Sequence, residues 1–170
     1  MSDRNWIRAA LQRHEGPLIL HARRITGDLE RARDVVQETF LRLCSRPREQ
    51  VEPHLAEWLF TVSRNIALDL HRKERAMENE DTKGEHKSLE PDPAAAALNK
   101  EAGSRVLALL DSLPEKQQEV LRLKFQAGLS YKEIQRVTGH SIGNVGYLVH
   151  VGLKSLRERL SGDALEEVVS

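Results

Sequence analysis

The run LPEKQQEVLRLKFQAGLSYKEIQRVTGHSIGNVGYLVHVGLKSLRERL, from Leu113 to Leu160, constrains the fold more than any other stretch, because it reads as three helices separated by two glycine-marked turns. Pro114 stands where a helix begins, since its missing N–H costs nothing in a first turn. Val120, Leu121 and Phe125 recur at helical spacing up to Gly128, which stops the helix. Ser130 and Glu133 form a capping-box pattern that opens a second helix, with Ile134 and Val137 as its buried face and Gly139 as its end. Ser141 caps a third helix. Its apolar positions Ile142, Val145, Val149, Leu153, Leu156 and Leu160 fall three or four apart, which leaves Gly143, Asn144, Tyr147, His150 and Lys154 toward the other side. Two helices joined by a tight turn, the second long and polar on one face, are the pattern of a helix-turn-helix that lays its second helix in a major groove. The same pattern also fits an ordinary three-helix bundle.

Upstream, three more amphipathic segments are legible: Trp6, Ile7, Ala10 and Leu11 running on through Leu18, Ala22 and Ile25; Leu29, Ala32, Val36, Phe40 and Leu43; and Leu55, Trp58, Leu59, Val62, Ile66 and Leu70. Gly27 and Asp28 punctuate the first pair, and SRPREQVEPH, Ser45 to His54, reads as a polar loop before the third. From Ala76 to Pro93 the periodicity disappears while acids, one glycine and two prolines gather, the composition of a linker. Beyond it Leu98, Ala102, Val106, Leu109 and Leu110 form a helix leading into Pro114. No stretch alternates as a strand does. The expected fold is therefore all-α, with two small helical domains over 1–75 and 98–162, a flexible acidic linker over 76–97 and a tail over 163–170.

The charge balance follows that division. The formal net charge is zero, which argues against a globally basic nucleic-acid coat, yet residues 1–75 carry +3, residues 76–103 carry −4 and residues 104–170 carry +1. The single cysteine, Cys44, rules out an internal disulfide and fits a reducing compartment; four residues after Phe40, it is expected as a small buried hydrophobe. With no apolar run of membrane-spanning length and no signal-peptide pattern, a cytoplasmic location and no membrane insertion are expected.

Three motifs in fixed order, DLERARDVVQETFLRL (Asp28 to Leu43), EWLFTVSRNIALDLHRK (Glu57 to Lys73), and LPEKQQEVLRLKF followed by GLSYKEI, resemble the extracytoplasmic-function sigma factors of bacterial RNA polymerase. The resemblance covers nearly the whole chain. It implies that the first half corresponds to sigma region two and the second to region four, and that the acidic segment is the connector between them, although a plain solvated tether has the same composition. It also implies core RNA polymerase and promoter DNA as partners, admits an anti-sigma factor, and assigns the chemistry to the polymerase, so that the chain itself is expected to be no enzyme.

The residues carry chemistry suited to those roles. Asp34, Gln37, Glu38 and Arg42 share a polar helix face opposite Val36, Phe40 and Leu43, which the resemblance places against the polymerase clamp. Arg64, Asn65, Asp69, Arg72 and Lys73 combine cations for phosphates with an amide able to read a base edge, in the segment resembling the minus-10 reader. Arg46 and Arg48, in the preceding loop, are candidates for holding a base taken out of the stack. Phe60 is expected off the apolar face and so as a base-stacking ring, whereas Trp58 is expected in the core. For the minus-35 element the candidates are Ser130, Lys132, Ser141, Gly143, Asn144, Tyr147, His150 and Lys154. One departure stands out: Gly146, Leu148 and Val151 occupy positions where the family often has cations. Gly143 and Gly146 either bring the helix backbone close to DNA or pack against a neighbouring helix.

Catalytic and metal readings find no support in spacing. The seven histidines include no HExxH, His14–Glu15 is followed by Leu18 where a second ligand would stand, and GYLVHVGLKS, Gly146 to Ser155, lacks the Gly-Lys pair of a phosphate loop. No cofactor and no metal are expected. Two rival readings remain at this point: an autonomous helix-turn-helix regulator, and a protein that docks on polymerase or an anti-sigma factor with weakened minus-35 reading.

Overall fold

The computed structural model describes residues 3–80 and 102–169. Among them every regular element is helical: α1 (Asp3–Thr26), α2 (Leu29–Cys44), α3 (Arg48–Val51), a 3-10 turn (Glu52–His54), α4 (Leu55–Glu80), α5 (Ala102–Asp111), α6 (Glu115–Phe125), α7 (Tyr131–Thr138) and α8 (Ile142–Val169). They fall into two compact units, one holding α1–α4 and the other the bulk of α5–α8.

In the first unit α1, α2 and α4 pack on one another. Their crossing is lined by Ala22, Ala32 and Ala67, all fully buried beside Val35, and the half-buried Ile19, Ile25, Ile66 and Leu70 close around it. Small side chains at a crossing let three helix backbones approach while larger neighbours fill the remaining volume. Gly27 ends α1 in the left-handed region (φ 77°), and Asp28 caps α2 by accepting from the Glu30 N–H. The segment expected as a polar loop before α4 is instead wound into α3 and the 3-10 turn: Pro47 occupies the N-cap, Val51 is buried, and Arg48 grips Glu52 one turn on.

α4 is rotated relative to the expected apolar stripe. Its fully buried positions are Leu59, Phe60, Ser63 and Ala67, while Leu55, Trp58, Val62, Ile66 and Leu70 are half-buried. Phe60 is thus a core ring, 1% exposed and edge-on to His21 at 5.6 Å, and not the exposed stacking ring expected of it. Cys44 also differs: Leu43 takes the buried position, and Cys44, one residue further round the helix, is exposed. The helix continues past Arg75 to Glu80, through Ala, Met and Glu residues that favour it. The rest of the expected linker and Leu98 lie outside the described residues.

In the second unit α8 packs on α6 and α5. Val120, Leu121 and Leu123 of α6 are buried, whereas Phe125, expected in that stripe, is exposed at the helix end. Arg122 is itself buried; it donates to Asp111 at 2.8 Å and to Gln118, and Asp111 opposes the fall in its pKa that burial causes. Pro114 sits at the N-cap of α6, and Gly128 (φ 72°) precedes α7. The capping box is formed in full, with Ser130 Oγ accepting from the Glu133 N–H and the Glu133 carboxylate accepting from the Ser130 N–H. Gly139 closes α7 at φ 83°. The buried stripe of α8 is Val145, Leu148, Val149 and Gly152, while Ile142 and Leu160 at the ends of the expected stripe are exposed, because the helix outruns the core at both ends. α8 runs on to Val169, through the segment expected as a separate tail.

Candidate DNA and polymerase surfaces

The first surface is on α2. Asp34, Gln37, Glu38 and Arg42 are all exposed, and Arg42 donates to Glu38 at 3.2 Å. Beside them a cavity of about 420 Å³ lies between α1 and α2, with Gln37, Leu41 and Cys44 on one wall and Leu11 and Ile19 on the other. Leu41 is 59% exposed, an apolar side chain in the middle of a charged face. It falls outside the Val36, Phe40, Leu43 stripe, so burial against the other helices does not account for it.

A second surface is on α4. Asn65, Asp69, Arg72 and Lys73 are exposed and Arg64 is half-buried; Asp69 and Arg72 stand 3.7 Å apart at high exposure, where an ion pair contributes little to stability. Arg46 is exposed as well. Arg48 is engaged otherwise than expected: it makes a two-pronged contact with Glu52, at 2.8 and 3.0 Å, and its guanidinium lies over the Trp6 ring at 5.7 Å. Those hydrogen bonds hold the Glu52 carboxyl below its usual range. Arg48 therefore ties α3 to α1, and Trp6, far away in sequence, supplies a partner that local reading missed.

The third surface is formed by the start of α7 and the first turns of α8. Ser130 and Ser141 both cap helices, Ser141 Oγ accepting from the Asn144 N–H at 3.1 Å, and an accepting hydroxyl keeps its own O–H for a phosphate. Lys132, Gly143, Asn144, Tyr147, His150 and Lys154 are exposed. His140, not singled out from sequence, has its Nδ1 3.4 Å from the Asn144 amide nitrogen and so orients that amide. Of the positions where cations were expected, Leu148 is 8% exposed and faces the core, which accounts for its apolar side chain.

The α1–α4 unit matches the sigma-70 region 2 family over residues 10–77, and the second unit matches sigma-70 region 4 over residues 104–156. Among similar proteins, the ECF RNA polymerase sigma factor SigL of Mycobacterium tuberculosis is 32% identical over 157 residues, covering 89% of this chain and 86% of its own. EcfG of Rhodopseudomonas palustris is 34% identical over 145 residues, covering 84% and 78%. The chain belongs to the extracytoplasmic-function sigma factors. It is an alternative sigma factor that directs promoter recognition with RNA polymerase. SigD of Mycobacterium bovis is a further relative, 31% identical over 168 residues that cover 93% of this sigma factor and 78% of SigD. No helix among the described residues is long and apolar enough to cross a membrane.

The glycines of the sigma factor's α8 now separate. A Cβ at Gly143 would meet nothing within 4 Å, one at Gly146 would touch the Tyr131 ring at 3.9 Å, and one at Gly152 would lie 2.7 Å from Leu121 Cδ1 and 3.3 Å from Cγ. Only Gly152 is needed for helix packing, since Leu121 is fully buried and has no room to swing away. Gly146→Ala is expected to stabilise the second unit by about 0.5–1 kcal/mol through helix propensity. Gly152→Ala should destabilise it by about 1–3 kcal/mol through overpacking. Urea unfolding of the two variants checks the opposite signs.

Proposed function

We propose that this sigma factor docks on the clamp of core RNA polymerase through Asp34, Gln37, Glu38, Arg42 and Leu41. On this reading Asn65 reads a base of the minus-10 element while Arg64, Arg72, Lys73 and Arg46 hold phosphates of the opening strands. Ser130, Lys132, Ser141, Asn144, Tyr147, His150 and Lys154 contact the minus-35 element, with Gly143 bringing backbone to the base edges. Phe60 and Arg48 have no place in it, being committed to the core and to α3. The sigma factor works in the cytoplasm, contributes no catalytic group to RNA synthesis, and has an anti-sigma factor as its other class of partner.

The observation that supports this most directly is the sorting of side chains on α2 and α4. Their apolar stripes are buried together, and that leaves a charged face of mixed sign with one exposed leucine on one helix and a cation–amide face on the other. A charged face around an apolar anchor suits a protein partner. Cations with an amide suit single strands whose bases are exposed.

Promoter profiling of the reconstituted holoenzyme tests the assignment. Asn65→Ala should relax preference at a single promoter position by about 1–3 kcal/mol, whereas Lys73→Ala should weaken all promoters alike. An Asn65→Ala profile identical to wild type would remove that residue from base reading.

A further inference from the structure

We propose that Ile142 and Tyr147 read thymine 5-methyl groups of the minus-35 element in the major groove, so that the first turns of α8 read base edges through apolar contacts while Lys132 and Lys154 serve the phosphates. The proposal rests on the placement of α8 on DNA made above. Ile142 is 43% exposed and Tyr147 63% exposed, although both stand in the first turns of the second helix of a helix-turn-helix, the part that meets base edges. Exposed apolar side chains there are not required by the fold, because Val145, Leu148 and Val149 already supply the buried stripe. Between them Gly143 has nothing within 4 Å of where a Cβ would be, which lets the helix backbone sit close to the groove floor and brings the flanking side chains down to it.

The charge pattern points to DNA as the occupant. From Ile134 to Arg157 the chain carries no carboxylate, so no acid of α8's first four turns repels phosphates; Glu133, at the start of α7, is engaged in its capping box. No Lys or Arg stands between Arg136 and Lys154, so neither a Lys or Arg phosphate contact nor the guanidinium–guanine pairing that commonly supplies specificity is available from the first turns of α8. The one apolar feature the major groove displays is the thymine methyl. Ile142 and Tyr147 are about 7.5 Å apart along the helix axis at 1.5 Å per residue and about 140° apart around it, so in the groove the two side chains meet different base pairs. Tyr147 meets the methyl with its ring, and the hydroxyl is not required for that contact.

The experiment uses holoenzyme assembled from the full chain and core polymerase, on a promoter selected from a random library. Deoxyuridine replaces thymidine in the upstream element alone, which removes the methyl and leaves base pairing intact. Open-complex formation is expected to fall about fourfold per methyl read, the fold-change equivalent to about 0.8 kcal/mol for one buried carbon. Tyr147→Phe should keep that sensitivity, while Ile142→Ala and Tyr147→Ala should each lose part of it; both side chains are exposed, so the fold is retained. Equal activity on the two templates, a selected upstream element without thymine, or full sensitivity in both alanine variants would overturn the proposal and leave the sigma-factor assignment standing. If no library member directs transcription, the placement on which the proposal rests fails with it.

Discussion

Phe60→Ala is expected to cost the α1–α4 unit about 3–5 kcal/mol, the range for truncating a buried phenylalanine. The ring is 1% exposed and meets His21 edge-on, in a stripe with Leu59, Ser63 and Ala67 that faces α1 and α2. A loss of that size is a large share of the 5–15 kcal/mol that holds a typical domain folded. Unfolding of the full chain, followed by circular dichroism in urea, should show an early transition, with Phe60→Leu falling between the variant and wild type. If Phe60 were instead a surface ring that stacks on a melted base, alanine would leave the unfolding midpoint where it was and impair promoter opening alone.

The second large effect is expected at the polymerase face. The double substitution Asp34→Lys with Glu38→Lys should weaken binding to core polymerase at least tenfold, about 1.4 kcal/mol or more, because it sets like charges where complementary ones are proposed. Both side chains are exposed, and the Glu38–Arg42 pair lost with them is about half-exposed on each side, so stability should scarcely change. Leu41→Ala should weaken binding without altering charge, which separates the apolar anchor from the electrostatics. Fluorescence titration of labelled chain with core polymerase measures all three variants. Wild-type affinity for the double substitution, with helicity retained, would remove this face from polymerase docking.

What was legible in the sequence was local. The Ser130–Glu133 capping box, the Ser141 cap, the break at Gly27 and Asp28 and the turns at Gly128 and Gly139 all depend on residues within a few positions of one another, and each forms as read. The three long helices of the first unit were legible too, because their apolar periodicity is strong, whereas the short α3 was not. Which way α4 faces was not. Ser63 and Ala67 are small enough to line a helix crossing yet contribute little to an apolar pattern, so the stripe was drawn through Trp58 and Val62, and Phe60 was left outside it. The ends of α8 misled for the opposite reason: Ile142 and Leu160 keep helical spacing but extend beyond the helices that could cover them. Arg48 required the fold itself, since its ring partner is Trp6 on α1. In the candidate sites the polar residues singled out on α2 and α4 are exposed, except Arg64, which is half-buried. Leu41 and His140 were missed because a lone apolar residue on a charged face and a histidine in a turn have no periodic signature.

The most direct test of the account is transcription of a random promoter library by purified core polymerase with and without the full chain. Start sites are expected that appear only when the chain is present and that share an upstream and a downstream sequence element. Specific DNA binding by the chain alone, with no new start sites when core polymerase is added, would contradict it.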